Sequence, residues 1–184
     1  AKAALVQAAH PEVAAGVSDH SSYRSDPLGR LSRTAAYVTA TAYGSLPEVD
    51  DAVAIVRRLH GPVSGTSHRG LAYSAAEPEM AAWVHNALVD SFLVAHRTYG
   101  SAPMSDADAD VYVAEQGRLG ERMGAHPLPD TSADLTRWLG DVRADQLDNG
   151  RIPCVVPVSS SYNAFFMRPT HGGAAWADAC VDVP

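Results

Sequence analysis

Two short stretches carry the residue types whose spacing suits chemistry. In "VRRLHGPV", His60 closes an apolar stripe immediately before Gly61-Pro62, a pair that stops a helix. Val49, Val53, Val56 and His60 recur at helical spacing, and Ala52 and Leu59 widen the stripe. Asp50, Asp51, Arg57 and Arg58 sit away from it, so the spacing points His60 inward. Three roles fit such a histidine. It is a core group satisfied by a carbonyl, an imidazolium favoured by the helix C-terminus, or a metal ligand. A single imidazole on a helix in apolar surroundings is a common way of holding haem iron.

The second stretch precedes the first. Arg30, Thr34, Tyr37 and Thr41 share a helical stripe flanked by Leu31, Ala35 and Val38. Such a stripe is either a solvated face or the wall of a pocket. In a pocket the arginine supplies fixed donors for a carboxylate or for developing negative charge, and the threonine a small hydroxyl. Arg33 lies beside that hydroxyl. His85 shares a face with Val89, Phe92 and His96 and is expected as a core hydrogen-bonding group or a support to a site. His10 reads as helix punctuation, and His20, His68, His126 and His171 as surface residues.

Other chemistries lack their motifs. GxGxxG, GxxxxGK[ST], GxSxG, CxxC and HExxH are missing, and no Glu stands three residues before a His. Nucleotide cradling, nucleophile-elbow hydrolysis, zinc knuckles and carboxylate-bridged di-iron bundles are therefore not supported. The 184 residues carry a formal charge of −7, which disfavours nucleic acid as a partner. No apolar run reaches membrane-spanning length. The opening apolar run is broken by Gln7, His10, Pro11 and Glu12, and a cytoplasmic location is expected. Cys154 and Cys180 are the two cysteines; free thiols are expected, with a disulfide as the alternative.

The elements that must position these residues are mostly helical. The pattern predicts helices over about 2–16, kinked or restarted at Pro11, over 28–43 with Gly44 as cap, and from a Ser45/Glu48 capping box to His60. A glycine-rich loop follows. Ser74 with Glu77 opens a long helix that ends at Gly100, Ser105 starts one running to about Gly124, and Asp130 or Thr131 caps the last. The fold class is all-α: a single-domain bundle of about six helices over 1–150. An irregular Pro/Gly-rich tail over 151–184, with a short strand at Val155-Val156, packs on it.

In order, "LVQAAHPEVAAGVSDHSSYRSDPLGRLSRTAAYV", "RRLHGPVSGTS", "YSAAEPEMAAWVHNALVDSFL" and "GSAPMSDADADVYVAEQ" resemble one known family. It is the oxygenase catalytic domain shared by latex clearing protein (the rubber oxygenase) and the fungal mycophenolic-acid-pathway oxygenase. The resemblance covers roughly residues 4–147. It implies an all-α fold and, as in the rubber-cleaving members, a haem b held by a histidine, with dioxygen used to cleave a carbon–carbon double bond. The family's Arg-x-x-x-Thr motif falls on Arg30 and Thr34, which become the expected catalytic and cofactor-facing residues. Arg33 falls where the rubber oxygenase has a lysine able to cap the iron; its guanidinium stays protonated and is expected to face the cofactor without ligating it. His60 matches the iron ligand.

The implied function is a haem-b-dependent oxygenase acting with dioxygen on an apolar alkene or isoprenoid-like molecule. The alternatives are a haem-free relative with other chemistry in the same cavity and a non-catalytic helical binding protein.

Overall fold

The computed structural model describes residues 6–145 apart from residues 8 and 23, with side chains as far as residue 142. The expected C-terminal tail lies outside the described residues, as do the strand at Val155-Val156, both cysteines and His171. The described part is predominantly helical, as expected, with six helices and one small two-stranded sheet.

Local signals account for most of the boundaries. Pro11 restarts the chain as α1 (Pro11–His20) after an extended His10, because proline fixes its own φ and needs no donor at a first helical position. Helix α1 runs four residues beyond the expected end at 16. Helix α2 (Pro27–Tyr43) is capped by the Asp26 carboxylate, which accepts from the Gly29 N–H at 2.9 Å. Helix α3 (Leu46–His60) opens with the expected capping box. The Ser45 N–H and Oγ both donate to the Glu48 carboxylate at 2.7 Å, and these bonds hold that carboxyl below its ordinary pKa.

Between α3 and the next helix the glycine-rich loop forms a hairpin that the sequence pattern did not reveal. Strands β1 (Ser64–Thr66) and β2 (Ala72–Ser74) pair antiparallel, with Gly65 opposite Tyr73. Each strand has only three residues, too short for an alternating pattern to register. Helix α4 (Pro78–Tyr99) starts after Glu77 without a side-chain cap, so the expected Ser74/Glu77 capping box does not form; Ser74 belongs to β2 instead. Helix α5 (Asp106–Met123) begins with a Ser105/Asp108 capping box. Helix α6 (Ser132–Asp145) follows Thr131, whose hydroxyl receives the Asp134 N–H at 3.1 Å.

The core lies between α4, α5 and α6. Trp83, Val89 and Leu93 of α4 meet Ala109 and Val113 of α5 and Leu135 and Leu139 of α6, all buried. Burying side chains of this size contributes about 1.5–3 kcal/mol each, which makes the trio the stable platform of the molecule. Helix α3 attaches to α5 through the Arg122–Asp50 ion pair and through Arg57, whose guanidinium donates to the Arg122 carbonyl at 3.2 Å. Helix α2 packs on α3 and buries none of its residues fully.

Helix α1 crosses the hairpin. Tyr73, only 4% exposed, is wedged between two glycines: a Cβ on Gly65 would stand 2.7 Å from its hydroxyl, and one on Gly16 3.3 Å from its ring. Burial and the Asp19 carboxylate, which accepts from the hydroxyl at 2.8 Å, push the Tyr73 phenol up to about 12. Gly65→Ala is therefore expected to lower stability by about 1–3 kcal/mol, the usual cost of overpacking, in urea unfolding followed by circular dichroism. An unchanged midpoint would mean that Tyr73 has room to move.

Candidate functional site

The turn Gly44-Ser45 folds α3 back along α2, as in a helical hairpin. Arg30 stands one turn inside the start of α2 and His60 is the last residue of α3, so both lie at the same end of that hairpin. Thr34 stands one turn further along α2. The two stretches singled out in the sequence thus stand on neighbouring, packed helices.

The side chains behave differently from one another. Arg30 is half-buried, and its Nη1 donates to the Ser21 hydroxyl at 2.7 Å. Arg33 is exposed and turned toward the α1–α2 loop, where it donates to Asp26 Oδ2 at 3.2 Å and Ser22 Oγ at 2.9 Å. Thr34 is exposed and its hydroxyl donates to the Arg30 carbonyl of its own helix at 3.0 Å. The stripe on α2 is consequently a partly solvated face, covered along Tyr37, Val38 and Thr41 and open at Thr34.

His60 also departs from its expected orientation. Along α3, Val53 is buried and Val49, Ala52 and Val56 are half-buried, but Leu59 and His60 are exposed. The apolar stripe runs past the end of the packing, so periodicity overstates how far in its last member points. Crowding by neighbouring atoms still penalises the protonated ring and lowers the His60 pKa, while access to water tempers that penalty. No charged or hydrogen-bonding group adds to the shift.

Sequence reasoning missed a second polar cluster, buried beneath α1. The Glu12 carboxylate, 7% exposed, accepts from Ser67 Oγ at 2.8 Å and lies 3.3 Å from His10 Nδ1 and 4.0 Å from Arg69 Nη1. The His10 ring rests against Trp83, with centroids 5.6 Å apart. The one sequence signal was a histidine and a glutamate in the first turn of an alanine-rich helix. Their partner Ser67 lies in the hairpin turn, too far along the chain for any local pattern to indicate.

His85 is buried between α4 and α5. The Gln116 carbonyl accepts from the ring, while desolvation, the larger effect, lowers its pKa. Gly120 lets the ring approach, since a Cβ there would stand 3.0 Å from His85 Nε2 and 2.6 Å from Leu128. Nε2 itself has no hydrogen-bond partner among the described residues. A shallow groove of about 250 Å³ lies nearby, lined by Gly117, Arg118, Glu121, His126, Leu128 and Asp130 among others. None of the residues singled out in the sequence as catalytic or cofactor-binding lines it.

Comparison with known proteins decides the family. Residues 1–170 match the family model described as ER-bound oxygenase mpaB/B'/Rubber oxygenase, catalytic domain. The chain belongs to this family. Neither the curated proteins nor the solved structures contain a match to it. Membership in the mpaB/rubber oxygenase family makes this an oxygenase catalytic domain, whose natural partners are a small molecule and oxygen. Among the described residues no helix is long and apolar enough to cross a membrane.

Among the described residues no three His, Cys, Asp or Glu side chains converge as a metal site. His60 is an accessible imidazole at the end of α3, and its lowered pKa favours the neutral ring; one such ring suits a group that needs a single protein ligand.

The two depressed histidines set an acid limit on stability. With folded-state pKa values below the ordinary 6.5, the unfolded chain takes up protons first as pH falls. Their contribution is complete above about pH 6.5 and is lost as pH drops through the lowered values. The thermal midpoint is expected to fall from pH 7 to pH 5, and His85→Gln to flatten part of that decline. A variant with the full decline would place the acid sensitivity elsewhere.

Proposed function

We propose that this family member is a haem-b-dependent oxygenase in which His60 would hold the haem iron and Arg30, Arg33 and Thr34 of α2 would contribute to binding the cofactor. What supports the reading is an accessible imidazole, without a hydrogen bond among the described residues, at the end of α3, the helix packed against the α2 that carries Arg30. A bound haem supplies the site for dioxygen and the redox chemistry of oxidative cleavage.

The chain's own residues then do the rest. His60 donates the Nε2 or Nδ1 lone pair. Arg30, half-buried and held by Ser21, would offer a fixed positive charge to propionate carboxylates or to developing negative charge. The Thr34 hydroxyl, bonded to its own helix as donor, keeps its lone pairs as acceptors toward the open side. Leu28 and Leu31 of α2 and Ile55 and Leu59 of α3 are between 47% and 72% exposed. Exposed apolar side chains on these two helices suit an apolar cofactor edge and an apolar alkene or isoprenoid-like substrate, and such contacts exclude water once covered.

Haemin titration of the purified protein tests the reading. A Soret band is expected on reconstitution, lost in His60→Ala and retained in His126→Ala. Folded protein that stays colourless would overturn it in favour of haem-free chemistry on the same scaffold or of a non-catalytic binding role.

A further inference from the structure

We infer that the end of α1, from His20 to Ser22, is the positioning element of the candidate site, tying Arg30 on α2 to the strand that continues from His60. The inference rests on the reading of Arg30 and His60 as cofactor-binding residues.

Every link in the tie is a named contact. Arg30 Nη1 donates to Ser21 Oγ at 2.7 Å, and Arg33 Nη2, one turn on, donates to Ser22 Oγ at 2.9 Å. Two arginines of α2 thus hold two successive serines that leave α1. On the other side of this junction, His20 Nε2 bonds the Ser64 carbonyl at 3.1 Å; a carbonyl only accepts, so Nε2 carries the proton. The His20 ring also meets Tyr73 edge-on, with centroids 6.4 Å apart and planes at 80°. Ser64 opens β1, and the preceding residue, Val63, donates its N–H to the His60 carbonyl at 2.9 Å. The path therefore runs from His60 through Val63 and Ser64 to His20, Ser21 and Arg30.

The helices alone cannot perform this task. Helix α2 has no buried residue, so packing does not lock its N-terminal turn, and an arginine side chain has several rotatable bonds to order. Charge-assisted bonds of this length restrict it where apolar contacts do not. Ser21 is half-buried, and its hydroxyl, accepting from Arg30, sets the geometry of that side chain. Ser21 and His20 are positioning residues: they act on Arg30 and on the strand after His60.

The test compares wild type, Ser21→Ala, Ser21→Thr and a distant control, Thr136→Ala, whose hydroxyl bonds only within α6. The first readout uses the protein without haem: the NMR resonances of the Arg30 side-chain N–H and the His60 ring. Ser21→Ala is expected to shift or broaden both while leaving the unfolding midpoint nearly unchanged; Ser21→Thr restores them, and Thr136→Ala alters neither. The second readout is haemin titration, in which Ser21→Ala weakens binding roughly tenfold, the scale seen when an orienting partner of a metal-binding group is removed. Resonances unaltered in Ser21→Ala overturn the positioning role whether or not haem binds. A wild type that refuses haemin while the Ser21→Ala resonances shift overturns the haem reading and supports the tie. A Ser21→Ala effect confined to global stability also overturns it.

Discussion

A single buried hydrogen bond, from the Ser67 hydroxyl to the Glu12 carboxylate, underlies the arrangement of everything N-terminal to the long helices. A carboxylate taken out of water is tolerated only when its oxygens are met by donors or positive charge. Glu12 on α1 finds these in the turn of the β-hairpin, where Ser67 and Arg69 stand. Helix α1 must therefore lie across the hairpin in one register. Tyr73 then fits between Gly16 and Gly65, Asp19 receives its hydroxyl, and His20 reaches the Ser64 carbonyl. Ser21 and Ser22 arrive beside α2 as a consequence.

The molecule divides its labour accordingly. Helices α4, α5 and α6 bury Trp83, Leu93, Val113, Leu135 and Leu139 and provide the bulk of the apolar stabilisation. The α2–α3 hairpin contributes little to that core and carries the candidate chemistry at its open end. Binding elements belong where local stability is low enough to accept a ligand, and polar ties to a rigid platform restrain them without filling the space a ligand needs. The ion pair between Arg122 and Asp50 and the grip of Arg57 on the Arg122 carbonyl serve α3 as the serines serve α2.

Much of this was legible in the residues themselves. Pro11, Gly44, the Ser45/Glu48 pair, Ser105 and Gly100 mark real helix ends, because caps and breakers act on their immediate neighbours. The helical class and the family resemblance agree with the structure and with the family comparison. The three-residue strands were not legible, being shorter than any period. The Ser74/Glu77 pattern misled because Ser74 was recruited by pairing with Ser64, a partner no local rule can supply. His60 was expected to point inward because its stripe holds as far as Val56; only the actual extent of packing shows that the stripe outlasts its cover.

The sequence by itself determined which segments are helical, where they stop, and which residue types stand at candidate positions, since each of these depends on interactions within a few residues. The tertiary structure alone decided that α2 and α3 pack as neighbours, that Glu12, Ser67 and His10 form a buried cluster, and that His85 and Leu128 both close on Gly120. Those outcomes depend on burial and on contacts between groups far apart in the chain. Burial is a property of the whole assembly of helices, and no local spacing encodes which face of a stripe will find a partner.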